Sequence, residues 1–210
     1  MFKTIHFLVC SLFLISTFLT TNGEEPPTSD MKVKSENLQL PLAAGAYGTL
    51  IDPRWILTVK SILVRDFVVV KGIHHTILKD QVVDHPKLAF RLIPVDPPIT
   101  QIQAIPRFKK AISSLEGKNL YVIEAVLASI YANNYVGKFT PQNISEDLPL
   151  TLQYNATDGS GVFYSPTDGK FEIVGVVSQT NDSATINWLT KEVNNWIDQT
   201  MAAFKPKPVE

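Results

Sequence analysis

The sequence predicts an all-β barrel or sandwich closed by one C-terminal helix, and three observations carry this. Short runs rich in Val, Ile, Leu, Tyr and Phe recur from Leu38 to about Ser178, bounded by turn residues. Two pairs of runs flank turn dipeptides, Asp52-Pro53 and Asp168-Gly169. Only the last segment spaces its apolar residues by three and four.

The chain opens MFKTIHFLVCSLFLISTFLTTNGEEPP. One lysine, about fifteen mostly apolar residues, then small and polar ones up to Gly23 give the layout of a secretory signal peptide, residues 1–23. The apolar run falls short of the roughly 20 residues a membrane-spanning helix needs. Residues 24–37, beginning EEPPTSDM, read as a loose polar segment.

From Leu38 the β pattern begins. Gly48 to Ile51 (GTLI), the Asp52-Pro53 turn and WILTV predict a hairpin. DFVVVKGI (66–73) and QVV (81–83) are further β runs. IPVDPPITQIQAIP (93–106) is too rich in proline for a helix and reads as a connecting strap. NLYVIEAVL (119–127) reads as a strand, although EAVLASIYA also suits a helix. VFYSP and KFEIVGVVS around Asp168-Gly169 form the clearest hairpin. From Trp188 to Phe204, the spacing of Leu189, Val193, Trp196, Ile197 and Met201 predicts one amphipathic helix, its Trp face packed on the body.

Charge and cysteine usage narrow the partners. Removing the signal takes Lys3, leaving 18 of the 19 basic residues against 20 acidic ones, a net charge of −2. That gives no electrostatic case for nucleic acid or an anionic membrane. Residues 24–210 suffice for one large domain or two lobes without covalent staples. The single cysteine, Cys10, lies in the signal, so the exported chain has none. Asn143, Asn155 and Asn181 head Asn-x-Ser/Thr sequons, as suits an exported glycoprotein.

Five segments, in order, resemble the chymotrypsin/trypsin family of serine proteases. GTLIDPRWILTVKSIL (48–63) is similar to the strand pair leading to the family's histidine. VVVKGIHH (68–75) resembles its Val-x-x-Gly-x-His strand, and VVDHPKLAFRL (82–92) the His-Pro stretch before Asp-Ile-Ala-Leu-Leu. DGSGVFYSPTDGKFEIVGVVS (158–178) resembles the nucleophile loop and the hairpin after it, and VNNWIDQTM (193–201) the terminal helix. The resemblance implies an all-β, two-barrel trypsin-like fold with a C-terminal α-helix. The first barrel would span about 38–108, the second about 109–187 and the helix about 188–204, with any active site in the cleft between barrels. Only about 30 residues separate Ala125 from Ala156, about half of what the family uses there, so a shortened second barrel with a doubtful specificity pocket is expected.

The family's chemistry needs a serine nucleophile, a histidine base and an aspartate that orients the base. Counted from Trp55, the histidine position falls on Ser61, whose hydroxyl is no base near neutral pH. The aspartate position falls on Lys87 or Pro86; Asp84 precedes the His85-Pro86 landmark and is expected to point elsewhere. An ungapped register from Asp158 to Val174-Gly175 puts Gly159 at the nucleophile, and a shift by one puts Asp158 there. Ser160 lies one step beyond, where the family has glycine. The catalytic set is therefore expected to be absent, with Ser61, Lys87 and Gly159 at the degenerate triad positions.

Other family parts are missing too. No Ile-Val-Gly-Gly, the segment that inserts beside the aspartate before the nucleophile on activation, occurs between Glu24 and Leu42. The cysteines bracketing the histidine strand are replaced by Ala46 and Ile62. An apolar contact there would have to offset the roughly 2–4 kcal/mol a cross-link contributes.

Simpler roles suit the remaining polar and aromatic residues. His74 sits at the family's strand position and reads as structural. His75 and His85 lack carboxylate or cysteine companions at ligand spacing, so no metal is expected, and no cofactor either. A Ser160/Lys60 dyad would need Lys60 in the cleft, and strand alternation points it away. Trp55, Trp188 and Trp196 read as core anchors, and a glycan on Asn155 would crowd the mouth of the old site.

The resemblance implies a secreted, non-catalytic serine protease homologue acting as cofactor, decoy or regulator. Its expected partner is an extracellular protein, such as an active serine protease or its substrate, with no nucleic acid and no membrane after signal cleavage. Two alternatives stand beside it: a residual hydrolase using Ser160, and a secreted all-β adhesion or carbohydrate-binding module built as a sandwich.

Overall fold

The computed structural model describes residues 38–43, 46–126, 133–145, 150–152, 156–167, 170–179 and 183–205. The signal, the polar segment, Asn155, Asn181 and the Asp168-Gly169 turn lie outside the described residues.

The first sheet takes β1 (Leu40–Ala43), β2 (Ala46–Asp52), β3 (Trp55–Val59), β4 (Phe67–Val70), β5 (Ile73–Ile77), β6 (Val83–Asp84) and β7 (Phe90–Asp96). Its order is β1-β2-β3-β7-β5-β4, with β6 on β7, and β1 returns alongside β4 so that the sheet curls into a barrel. The second takes β8 (Leu120–Val126), β9 (Asn133–Phe139), β10 (Leu150–Leu152), β11 (Gly161–Thr167), β12 (Lys170–Gln179) and β13 (Ala184–Trp188). Its order, β10-β13-β12-β11-β8-β9, leaves an open half-barrel. The ladders are antiparallel throughout both sheets. One α-helix, α1 (Lys191–Ala203), follows.

The predicted hairpins form. β2 and β3 pair Leu50 with Ile56 and Asp52 with Trp55 around the Pro53-Arg54 corner. All five residues of β3 are buried, so WILTV does not alternate, as suits a strand covered on both faces, and its one polar member, Thr58, donates its hydroxyl to the Tyr47 carbonyl at 2.7 Å. The end of the helical segment supplies one cover: the Phe204 ring stands edge-on to Trp55 at 4.9 Å. β11 and β12 pair as the second predicted hairpin. The NLYVIEAVL run is strand from Leu120 to Val126, as β8, where Leu120 and Val122 are buried.

Three sequence readings change. DFVVVKGI is two strands, because Lys71 and Gly72 both take positive φ (47° and 81°) and turn the chain between β4 and β5 as a tight hairpin requires. The strap read from Ile93 is strand as far as Asp96: Pro94 sits opposite Trp55, and its carbonyl accepts from the Leu78 amide at 3.0 Å. The helix begins at Lys191 rather than Trp188. Trp188 ends β13, and Thr190 caps the helix by accepting the Val193 amide on Oγ1 at 3.4 Å.

The rest of the strap binds the two lobes. The Ile105 amide donates to Leu50 in the first sheet at 2.7 Å, and the Phe108 amide to Ile173 in the second at 2.9 Å. Asn194, buried on α1, donates its side-chain amide to the carbonyls of Phe108 and Leu189 at 3.0 and 3.1 Å. Arg107 donates to the Asn194 Oδ1 at 3.1 Å and pairs with Asp198. Strap, helix and both sheets thus share one polar junction, and the spacing of the two sheets is fixed by it.

Candidate functional site

The cleft-side residues meet where the end of β3 faces the turn before β11. The Tyr47 amide donates to the Asp158 carbonyl at 3.0 Å, so β2 holds that turn in place. From the other side Ser61, just past β3, donates its hydroxyl to Asp158 Oδ2 at 2.5 Å. The Gln179 amide at the end of β12 donates to Oδ1 at 2.8 Å. Both carboxylate oxygens are therefore bound, one by Ser61, which the resemblance puts at the histidine position.

Gly159, which the resemblance puts at the nucleophile position, follows, and a side chain does not fit there. Its φ is +78°, and a Cβ would overlap the Tyr47 carbonyl oxygen, the Ile62 side chain and the Thr58 hydroxyl. Its amide donates to the Val177 carbonyl at 2.8 Å, so it is not free to bind a developing oxyanion. Ser160 is 0 % exposed, and its carbonyl accepts from the Val177 amide. Ile62, one of the groups above Gly159, shares the first-sheet core with Ala46, the two residues that the resemblance puts where the family has bracketing cysteines.

The other predicted positions divide between near and far. Lys87 is exposed on the turn before β7, and no hydrogen bond or ion pair among the described residues joins its side chain to Ser61 or Asp158. Asp84 points elsewhere: it takes Arg91 bidentately, at 2.6 and 2.9 Å, and that bond holds its carboxyl below the usual carboxylate range. Arg91 also donates to the Ile62 carbonyl at 2.7 Å. The Lys60 charge acts on Asp84 and His85, as alternation away from the cleft predicts.

The histidines correct one reading. His74 is exposed, its ring tilted on Phe67 at 4.7 Å, whereas His75 is the buried one, with Nδ1 2.8 Å from the Pro97 carbonyl oxygen. The register of β5 puts His75 indoors and His74 outdoors. His85 is also buried, and its ring meets Trp196 edge-to-face at 4.9 Å. Of the tryptophans, Trp55 and Trp188 are core residues and Trp196 is half-buried. Asn143 is exposed, with φ +57° and its amide on Glu116 Oε1 at 3.1 Å.

Nothing in the sequence announces the Ser61–Asp158 pair. Asp158 is a visible carboxylate, but its partner lies 97 residues away and shares no local pattern with it. The pair also lacks the imidazole base of a serine peptidase site. A carboxylate is a poor base for an alcohol near neutral pH, and the nearby amides are engaged.

No family model matches the sequence, and no curated protein matches it by sequence either. Solved structures do match. The atomic-resolution structure of HBP superposes with a TM-score of 0.64 at 13 % identity, over 84 % of this chain and 96 % of that one. A mutant of human heparin binding protein (CAP37) gives 0.60 at 11 % identity, over 84 % and 96 %. Kallikrein-related peptidase 10 gives 0.59 at 13 % identity, over 81 % and 98 %. Identities this low speak for fold alone. They exclude the sandwich of an unrelated adhesion module, since two curled antiparallel sheets and one terminal helix superpose along nearly the whole of each neighbour. The chain has the two-barrel fold of the trypsin-like serine peptidases.

Proposed function

We propose that this protein is a secreted pseudoprotease: a trypsin-like scaffold without peptidase chemistry that works by binding another extracellular protein. One observation carries the reading. The nucleophile position is closed to any side chain, because Gly159 sits at positive φ beneath Tyr47, Ile62 and Thr58. With serine in place of the histidine as well, nothing replaces the triad, a unit whose loss removes on the order of 10⁶ in turnover where it has been dissected. Ser160, the rival nucleophile, is fully buried, which argues against a residual hydrolase.

Export rests on the N-terminal signal pattern and on the exposed Asn143 sequon. No helix among the described residues is long and apolar enough to cross a membrane. One structural neighbour is named for binding, as heparin binding protein, which supports binding as a use of this fold. Heparin itself does not transfer here, since a net charge of −2 opposes a polyanion. The favoured partner is an active serine protease or its substrate, with this chain as cofactor, decoy or regulator.

Affinity capture tests the reading. Tagged protein, exported by cells and exposed to fluid from its producing tissue, is expected to enrich a serine protease or a substrate of one. The purified pair should then bind each other. Hydrolysis of a fluorogenic peptide panel, abolished by Ser160→Ala, would overturn it.

A further inference from the structure

Away from Ser61, Asp158 and Gly159, a groove of about 610 Å³ runs between the turn that begins at His85 and the first turns of α1. That volume is within the range of sites that hold small ligands or short peptide stretches. Its apolar lining is the half-buried Trp196 and Pro86.

His85 gives the groove a fixed donor. The side chain is 2 % exposed, and Nδ1 accepts the amides of Lys87 and Leu88 at 3.3 and 3.0 Å. An Nδ1 that accepts leaves the proton of the neutral ring on Nε2. Nε2 has no partner among the described residues, and His85 lines the groove. Burial pulls the ring's pKa down, reinforced by Lys60 and Lys87 and opposed by Glu192, so the neutral form prevails at pH 7.

The charges and amides around it select the ligand. Lys87 and Lys191 flank the groove without an ion pair among the described residues, and Glu192 is the one acid in its wall. Two cations against one anion suit a single carboxylate and disfavour a polyanion. Asn195 and Gln199 are one helical rung apart, about 6 Å along the axis. Two residues of an extended chain advance roughly 6.6 Å, so the two amides can each take one exposed peptide unit.

From this geometry we infer that the groove binds an extended segment of a partner protein that carries a Glu or Asp side chain. The carboxylate sits between Lys87 and Lys191 and accepts from His85 Nε2. The segment's backbone lies along Asn195 and Gln199, over the Trp196 ring. The site shares no residue with the Ser61–Asp158 pair, so it goes beyond the pseudoprotease reading and holds whether or not the cleft is catalytic.

The test uses the protein as exported by cells and fluorescently labelled hexapeptides, arrayed with one position fixed as Glu, Gln or Lys. Heparin hexasaccharide and inorganic sulfate serve as the other probes. The expected result is at least tenfold tighter binding of the best Glu peptide than of its Gln twin. Lys87→Glu with Lys191→Glu should abolish that preference, and Lys71→Glu, on the exposed β4–β5 turn, should leave it intact. Trp196→Ala should weaken binding at least tenfold; if it fails to fold, Trp196→Phe should weaken it less than tenfold. Equal binding of Glu and Gln peptides, or a preference that survives the double lysine change, would overturn the inference. So would lysine-dependent binding of hexasaccharide or sulfate with no peptide bound.

Discussion

Ser61 and Asp158, 97 residues apart, are joined by a 2.5 Å hydrogen bond from Ser61 Oγ to Asp158 Oδ2. The bond ties the end of β3 in the first sheet to the turn before β11 in the second. Ser61, which the resemblance puts at the base position, thus lies against the turn that holds Gly159 and acts there as a clasp. Asp158 has two donors among the described residues, Ser61 and the Gln179 amide.

The clasp is exposed, so its contribution is small. Ser61→Ala and Asp158→Asn should each lower stability by about 1 kcal/mol, and the double variant should lose less than the sum. Urea unfolding of the four proteins reads the coupling directly. A strictly additive cycle would mean that the hydrogen bond contributes nothing.

Gly159 is the less forgiving position. Gly159→Ser, the change that formally restores a nucleophile, forces a Cβ into Tyr47, Ile62 and Thr58 at a φ of +78°. Backbone strain and overpacking together should cost about 3 kcal/mol or more. Thermal unfolding should show a loss of several degrees and no gain of peptidase activity, even combined with Ser61→His.

Asn194 holds the junction of strap and helix. Asn194→Ala leaves the Phe108 and Leu189 carbonyls and the Arg107 guanidinium short of partners in a buried setting, which should cost about 2–3 kcal/mol. Denaturant unfolding measures it. A surface control, Lys110→Ala, should fall within about 0.5 kcal/mol of the parent.

His85 gives the fold a mild acid sensitivity. Burial holds its folded pKa below the usual 6.5, so below that pH the unfolded chain takes a proton that the folded chain refuses. Stability should therefore fall as pH drops from about 6.5 toward the depressed folded value, and His85→Gln should flatten that slope. Asp84 and Asp198, lowered by hydrogen bonds from Arg91 and Arg107, act in a separate window. Their contribution is present above the unfolded carboxylate value of about 3.9 and is lost as pH falls through the folded one. Urea titrations at pH 7.5, 6.5 and 5.5 isolate the histidine.

What the sequence disclosed followed from local chemistry. The Asp52-Pro53 turn signal beside the Pro53-Arg54 corner, the mostly apolar WILTV and the helical spacing of Val193 and Ile197 each act within a few residues, and each forms the expected element. The Lys71-Gly72 turn is hidden because lysine rarely takes positive φ. Pro94 disguises the second half of β7, since a strand proline is tolerated only where its missing amide is not needed. β9, β10 and β13 depend on pairing across the second sheet, and no turn signal announces them. At the site, the identities at positions 61 and 159 are legible through the family resemblance. The clasp and the closed space over Gly159 are not, because both arise from contacts between residues far apart in the chain.

The proposal that this trypsin-like scaffold carries no reactive serine is open to one direct measurement. The exported protein is incubated with a fluorophosphonate probe at neutral pH and weighed intact, beside active trypsin as a positive control. An unchanged mass is predicted for this chain under conditions that label trypsin fully. A single stoichiometric adduct, mapped by peptide sequencing to Ser61 or Ser160, would contradict it.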